Sequence, residues 1–240
     1  MDTRGPLELP FPEGPMAERQ EFSTRWLEFV SGCAVLSCAW LLVSLGYRLV
    51  QLGALSHAPI FFLAVAPIAY LAADLASGLV HWMCDTFFEE DSPLIGRLLI
   101  APFREHHRDP MAIVRHGFLE LNGNNCLALL PLLLFFRRQQ NGSEPASVLA
   151  DGFLFFFSLA VLATNQFHQW AHAASVPRAV RWLQDYRLIL APARHAIHHR
   201  EYRSAYCITT GWMNSLLDRL SCFPHLEEAL ASLGVPRAKT

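Results

Sequence analysis

Charge is scarce in this 240-residue chain: Asp, Glu, Lys and Arg make up 17% and nearly cancel, leaving a formal net charge of -2. That balance excludes nucleic-acid binding, which needs concentrated positive charge. Paired cysteines are missing as well. Cys33, Cys38, Cys84, Cys126, Cys207 and Cys222 form no C-x-x-C unit, which argues against a zinc ribbon, a thioredoxin-type site, a haem-attachment motif or a disulfide scaffold. No G-x-G-x-x-G follows a strand-like run, so electrons for any redox chemistry have to come from a partner. No internal repeat is visible. The first 25 residues, rich in Pro, Glu and Arg, lack the apolar core of a signal peptide and are expected to form a disordered polar leader, 1–25.

Apolar residues are abundant instead, at 52% hydrophobic and 12% aromatic with positive mean hydropathy. About 20 apolar residues cross the hydrocarbon of a bilayer. Trp26 to Val50 is a candidate span, with Arg48 expected to snorkel at its end. Ala58 to Val80 is a second, charged only at Asp74, and Ser147 to Phe167 a further one, charged only at Asp151. Between them, Cys126 to Phe136 is short and needs Leu121 to Asn125 in front of it to cross, as a short, tilted or re-entrant helix. Val180 to Leu190 and Tyr206 to Leu220 mix apolar and basic faces as helices lying at the interface do. The expected fold is all-α: a multi-pass membrane helical bundle of about four spans, residues 26–225, with interfacial helices and a C-terminal tail, 226–240.

If the spans alternate, 16 of the 19 basic residues fall on one side, which the positive-inside rule makes cytoplasmic, together with both termini. Ten of the eleven histidines, all but His57, fall on that same side. Seven sit in three short segments: Arg104-Glu105-His106-His107, His168-Gln-Trp-Ala-His172 and His195-Ala-Ile-His198-His199. His168 and His172 are four apart, so on a helix they share a face and can share a metal. His195, His198 and His199 combine i+3 and i+4 spacing, again placing several imidazoles on one side of a turn. His81 and Asp85 continue a stripe from Asp74 and form a fourth candidate group. His116 lies beyond, before Asn122-Gly123-Asn124-Asn125. Glu105, Asn122, Asn165 and Asp74 are candidates for orienting ligands or substrate. His57 and His225 read as ordinary polar residues.

Nine histidines and a carboxylate exceed what one tetrahedral zinc needs and suit two metals with open positions. Nitrogen-rich ligation without thiolates suits non-haem iron that activates O2. At a membrane surface the substrate is a lipid, and the reaction classes are desaturation or hydroxylation. An ion transporter is a rival, but it needs histidines at midplane rather than at span ends. A metal-binding protein without turnover is another.

The strings Asp74-Leu-Ala-Ser-Gly78-Leu-Val-His81-Trp82, Phe103-Arg-Glu-His-His-Arg-Asp-Pro110, Thr164-Asn-Gln-Phe-His168-Gln-Trp-Ala-His172, His195-Ala-Ile-His-His199 and Tyr206-Cys-Ile-Thr-Thr-Gly-Trp212 occur in the order of the Kua family of lipid desaturases, which the chain resembles over about Leu71 to Leu220. The resemblance implies a di-iron, O2-dependent desaturase with metal-binding roles for His106, His107, His168, His172, His195, His198, His199 and His81. It is strongest to the plasmanylethanolamine branch, which implies a vinyl ether double bond placed in the 1-O-alkyl chain of an ether phospholipid. Acyl-chain desaturation or hydroxylation at the same site is the alternative. Electrons would come from a carrier such as cytochrome b5 or a ferredoxin, in a bacterial inner membrane or the endoplasmic reticulum. The chain departs from the expected pattern at Gly117, Leu121 and Asn124, where Asp, Thr and Asp are expected in close relatives.

Overall fold

The computed structural model describes residues 16–54, 59–93, 95–139, 144–235 and 237–238, and His57 lies outside them. The described residues are all helical or irregular, with no strand among them. Among the described residues, four helices are long and apolar enough to cross a membrane: α1 (Met16–Gln51), α2 (Pro59–Thr86), α5 (Phe118–Gln139) and α6 (Pro145–His172). Short elements connect and cap them. A π-helical turn (Gly96–Ile100) runs into α3 (Ala101–Arg108), followed by α4 (Ala112–Arg115). After α6 come α7 (Arg178–Asp185), α8 (Pro192–Glu201), α9 (Asn214–Arg219) and α10 (Cys222–Ser232).

α1 packs on α5 and α2 on α6, while α5 and α1 both touch α6. Ala34, Cys38, Leu41, Leu42 and Leu45 recur at helical spacing on α1 and meet Cys126, Leu129 and Leu133 of α5 and Leu154 of α6. The reverse face of the bundle is apolar and open, with Leu36, Val43, Ile60, Leu63 and Phe135 exposed. That pattern fits a bilayer, where lipid solvates the outer face. The third span is a full 22-residue helix beginning at Phe118, longer than its apolar run suggested. Its polar stretch is accommodated by packing. A Cβ on Gly123 would collide with the Ser31 side chain, so the missing side chain is what lets α1 and α5 approach. Asn122 bonds back to the Phe118 carbonyl and Asn125 reaches the Val161 carbonyl.

Arg48 does not merely snorkel: its Nε donates to Asp151 Oδ2 at 2.9 Å, joining α1 to the start of α6. α2 and α6 each have 28 residues, about 42 Å at 1.5 Å per residue, against roughly 30 Å of hydrocarbon. Their last turns therefore extend beyond the apolar layer, carrying His81, Asp85, His168 and His172 with them.

Three expectations change. α1 starts at Met16, so residues 16–25 of the expected leader are helical, in keeping with the helix-forming Ala17, Glu18, Arg19, Gln20 and Glu21. The segment from Tyr206 to Gly211 is a buried irregular strap rather than an interfacial helix, and only Asn214–Arg219 is helical there. Ala205 and Gly211 have positive φ, and Asp74 and Asn214 bond to the strap's backbone, which diverts those groups from a helical ladder. Finally, the boundary drawn at 225/226 cuts α10. Glu227 is buried, accepts from Trp82 Nε1 at 3.0 Å and pairs with Arg237, while the Ala238 amide donates to the Thr86 carbonyl at 2.9 Å. Through Glu227, Arg237 and Ala238 the described part of the tail is tied to the end of α2. α7, with Trp182 and Tyr186 exposed beside Arg178 and Arg181, has the composition of an interfacial helix.

Candidate metal centre

Four helices bring the histidines together. His81 and Asp85 stand one turn apart at the end of α2, His106 and His107 on α3, His168 and His172 at the end of α6, and His195, His198 and His199 on α8. They sort into two groups. One is His106, His168, His172, His195 and His199; the other is His81, Asp85, His107 and His198. Within each group the possible ligand atoms lie within 4.8 Å of one another. Successive helical residues point about 100° apart, so His106 and His107 serve different groups with ring centroids only 4.4 Å apart. α8 splits in the same way, with His195 and His199 in one group and His198 in the other. The single face expected of those three is in fact two adjoining faces.

The ligand atoms converge on one another. His168 Nε2 is 2.8 Å from His195 Nε2, His195 and His199 are 3.0 Å apart, and His172 lies 3.3 Å from both His168 and His199. A neutral Nε2 either donates one N–H or accepts at one lone pair, so at most two of these four contacts can be hydrogen bonds. A metal ion with bonds of about 2.1 Å places neighbouring ligand nitrogens about 3 Å apart. The fit extends to the second group, where Asp85 Oδ2 is 3.0 Å from His107, 3.3 Å from His81 and 3.4 Å from His198. His106 Nε2 and His81 Nε2 are buried with no hydrogen-bond partner. These are donor sets for cations: five imidazoles in one, three imidazoles and a carboxylate in the other.

Burial, and then mutual crowding, holds His106 and His195 well below the ordinary imidazole range and pushes His199 down to about 3. Their nitrogens therefore keep lone pairs at neutral pH. Two further contacts fix the tautomers. His81 Nδ1 donates to the Tyr206 carbonyl at 3.0 Å and His198 Nδ1 to the Ser204 carbonyl at 2.8 Å, leaving each Nε2 bare and turned to the group. Those carbonyls were missed in the sequence because any residue supplies one; the Tyr206 to Trp212 motif was the only signal. Arg104 was missed too. It donates to the carbonyls of Cys84, Phe87 and Phe88, capping the end of α2 from α3 and so fixing Asp85 relative to His107.

The remaining candidates lie apart from the ligand groups. Asp74 is fully buried and accepts the backbone N–H groups of Thr210, Gly211 and Met213, so it anchors the strap rather than a ligand. His116 is half-buried beside Glu105 and Glu120, outside both groups. Glu105 is exposed, and Asn122 is spent on its own helix. Asn165 donates to the Leu121 carbonyl at 2.6 Å and lines a pocket that reaches His106 and His168. His225 is exposed on α10.

A four-span helical bundle whose extended helix ends hold two adjoining histidine-rich groups defines the class: a membrane protein with a histidine cluster compatible with metal binding. Residues 70–239 match the family model described as a lipid desaturase domain, and the chain belongs to that family, which makes it an oxidoreductase. It is 44% identical over 198 residues to the plasmanylethanolamine desaturase of Myxococcus xanthus, covering 82% of this chain and 69% of the relative. It is 40% identical over 211 residues to plasmanylethanolamine desaturase 1 of Mus musculus, covering 85% and 78%. Fatty acid desaturase 4 of Arabidopsis thaliana, a chloroplastic protein, is 36% identical over 161 residues, 66% of this chain and 48% of the relative. No solved structure matches.

Proposed function

We propose that this chain converts an alkyl-ether ethanolamine phospholipid into its vinyl ether, using two iron ions, O2 and electrons from an external carrier such as cytochrome b5 or a ferredoxin. The observation that carries the reading is the pair of adjoining donor sets at the ends of membrane-spanning helices, in a chain whose relatives at 44% and 40% identity are named plasmanylethanolamine desaturases. In this reading His106, His168, His172, His195 and His199 hold one iron, and His81, Asp85, His107 and His198 hold the other. Bound there, the iron pair would supply O2 activation strong enough to remove hydrogen from unactivated carbon.

The protein's own part is holding and shielding. The Tyr206 and Ser204 carbonyls keep His81 and His198 in the ligating tautomer, and the buried strap from Tyr206 to Gly211 covers one side of the site against water. Asp85 brings the one negative charge among the nine groups. The net reaction balances when two hydrogens leave the first two carbons of the alkyl chain and, with two electrons and two protons from outside, O2 leaves as two waters. The excess of basic residues on the histidine side supports a cytoplasmic site with cytoplasmic termini, in a bacterial inner membrane or the endoplasmic reticulum; a reporter fused to the C-terminus reads that orientation directly.

The test is expression in cells that lack vinyl ether lipids but are fed an alkyl-ether precursor. Vinyl ether phospholipid is expected with the intact chain and none with His168→Ala or His199→Ala. An acyl chain double bond or a hydroxylated lipid as the sole product would replace this reading with the corresponding desaturase or hydroxylase.

A further inference from the structure

Between α2 and α6 small side chains leave a gap. Ala66 and Pro67 on one helix and Ala160 and Ala163 on the other line an open groove of about 430 Å3, with Phe156 and Phe167 along its α6 side and Tyr70 on its α2 side. On α6 these positions recur at helical spacing, so the groove follows one stripe of that helix. A water takes up about 30 Å3, so the groove has room for a length of chain. Both helices are of spanning length and composition, and what solvates an apolar hollow between them is hydrocarbon.

The groove does not lead to the histidines. Beyond Tyr70 and Ala163 the strap is wedged between the two helices, with Thr209 Oγ1 lying 2.7 Å from Thr164 Oγ1 on α6 and 3.4 Å from the Ala73 carbonyl on α2. Ala73, Thr164 and Thr209 are all buried. His81 and His168 come after these contacts on their helices, so the strap stands between the groove and both ligand groups. An occupant of the groove sits beneath the strap and is not on its way to the site.

The strap end of the groove is tied to a basic surface. The Tyr70 hydroxyl donates to the Leu188 carbonyl at 2.6 Å, its ring meets Trp212 edge-on at 6.1 Å, and Trp212 Nε1 donates to the Arg187 carbonyl at 2.7 Å. Arg187 follows α7, where Arg178 and Arg181 are exposed with Trp182, and where Asp185 is the one acid. Among the described residues no carboxylate pairs with the side chains of Arg178, Arg181 or Arg187. Exposed arginines interleaved with Trp and Tyr beside an apolar groove match the two halves of a phospholipid, anionic head and hydrocarbon chain.

We propose that the groove holds one hydrocarbon chain of an anionic membrane phospholipid, with its phosphate on the arginine face of α7, and that this lipid supports the strap from below. The excess of positive charge calls for an anion at the head of the groove, which the apolar outer face of a second copy of the chain does not supply. Tyr70 lies one turn before Asp74, and Trp212 directly follows Gly211, so a chain against Tyr70 stiffens the residues that anchor the strap.

The experiment places the full chain in nanodiscs of equal phosphatidylcholine and phosphatidylglycerol, both ester lipids, so that its outcome is independent of the desaturase reading. Native mass spectrometry of the released protein is expected to show one retained phospholipid per chain, with phosphatidylglycerol favoured at least about tenfold. Adding phosphatidylglycerol to delipidated protein in neutral detergent is expected to raise the unfolding midpoint by about 3 °C. Ala163→Phe, which fills the groove, is expected to lose both the retained lipid and that rise. Arg178→Gln/Arg181→Gln/Arg187→Gln, confined to exposed positions, is expected to keep a lipid but lose the preference for phosphatidylglycerol. Retained lipid of bulk composition in the wild-type chain, or a preference that survives the triple variant, overturns the headgroup assignment. A midpoint in the wild-type chain that phosphatidylglycerol does not move overturns the support of the strap. A dimer in place of a bound lipid, lost in Ala163→Phe, gives the groove to a second copy and overturns the proposal.

Discussion

The Nδ1 of His81 donates to the backbone carbonyl of Tyr206 across 3.0 Å, joining residues 125 positions apart in the chain. The carbonyl belongs to a strap with no helical or strand ladder of its own, so its position depends on side chains. Asp74 holds its C-terminal end, with Oδ1 accepting from Thr210 and Gly211 at 2.7 and 2.9 Å and Oδ2 from Met213, just beyond the strap, at 3.0 Å. Asp74→Ala is expected to strand three N–H groups, at a cost on the order of 3 to 5 kcal/mol. Unfolding in detergent should shift accordingly. Asp74→Asn, which keeps one acceptor, is expected to fall between and to lose metal from the group containing His81. Wild-type metal content in Asp74→Asn would mean that the strap does not orient His81.

Metal content per chain separates the two groups. Asp85 is the only carboxylate in its set and touches three imidazoles, so Asp85→Ala is expected to lower iron from about two per chain to about one. His172 belongs to the other set, and His172→Ala is expected to give the same loss from the other site. The double variant should retain almost none. Elemental analysis of purified protein checks all three, and identical loss of both irons in each single variant would mean that the groups bind as one unit.

Much of this centre was legible in spacing. The i,i+4 pairs His168/His172 and His81/Asp85 each fall within one group, as two residues one helical turn apart must. The division of His106 from His107, and of His198 from its neighbours, was not legible, because it depends on how α3 and α8 are rotated against α2 and α6. That rotation is set by packing and by the Arg104 cap, which no local pattern encodes. Asp74 lies on the same stripe as His81 and was expected to support a ligand or substrate; the strap that occupies it instead comes from 136 residues further along. The third span was obscured by the polar run Asn122 to Asn125, in which the Asn122 and Asn125 amides donate to carbonyls of α5 and α6 and Gly123 is covered by Ser31.

Close approach at Gly78 gives a second route to the strap. A Cβ at this position would collide with the Cys207 sulfur and sit 3.2 Å from the Cys207 backbone nitrogen. Gly78→Ala is therefore expected to push the strap outward, destabilising the fold by about 1 to 3 kcal/mol. Because Tyr206 adjoins Cys207, activity should fall further than stability alone explains. Restoring the midpoint of unfolding with a bound lipid while activity stays low would be the expected signature; full activity in Gly78→Ala would show that the strap tolerates the shift.

The ion pair between Arg48 and Asp151 tests how the bundle itself is held. Asp151 is 5% exposed, and its partner arrives from α1 at 2.9 Å. Arg48→Met leaves that carboxylate buried without its guanidinium, and removing one partner of such a pair costs about 3 to 5 kcal/mol. Asp151→Leu alone leaves Arg48, which is 25% exposed at its side chain, able to turn toward headgroups or water, so its cost is expected to be smaller. The double variant removes both charges and fills the space with hydrocarbon, an exchange that is often neutral. It should therefore unfold near the wild-type midpoint. The order expected in a detergent unfolding series is Arg48→Met least stable, then Asp151→Leu, then the double variant close to wild type. A double variant that loses the sum of both single effects would mean that the two residues act independently and that α1 and α6 are joined by their apolar contacts alone.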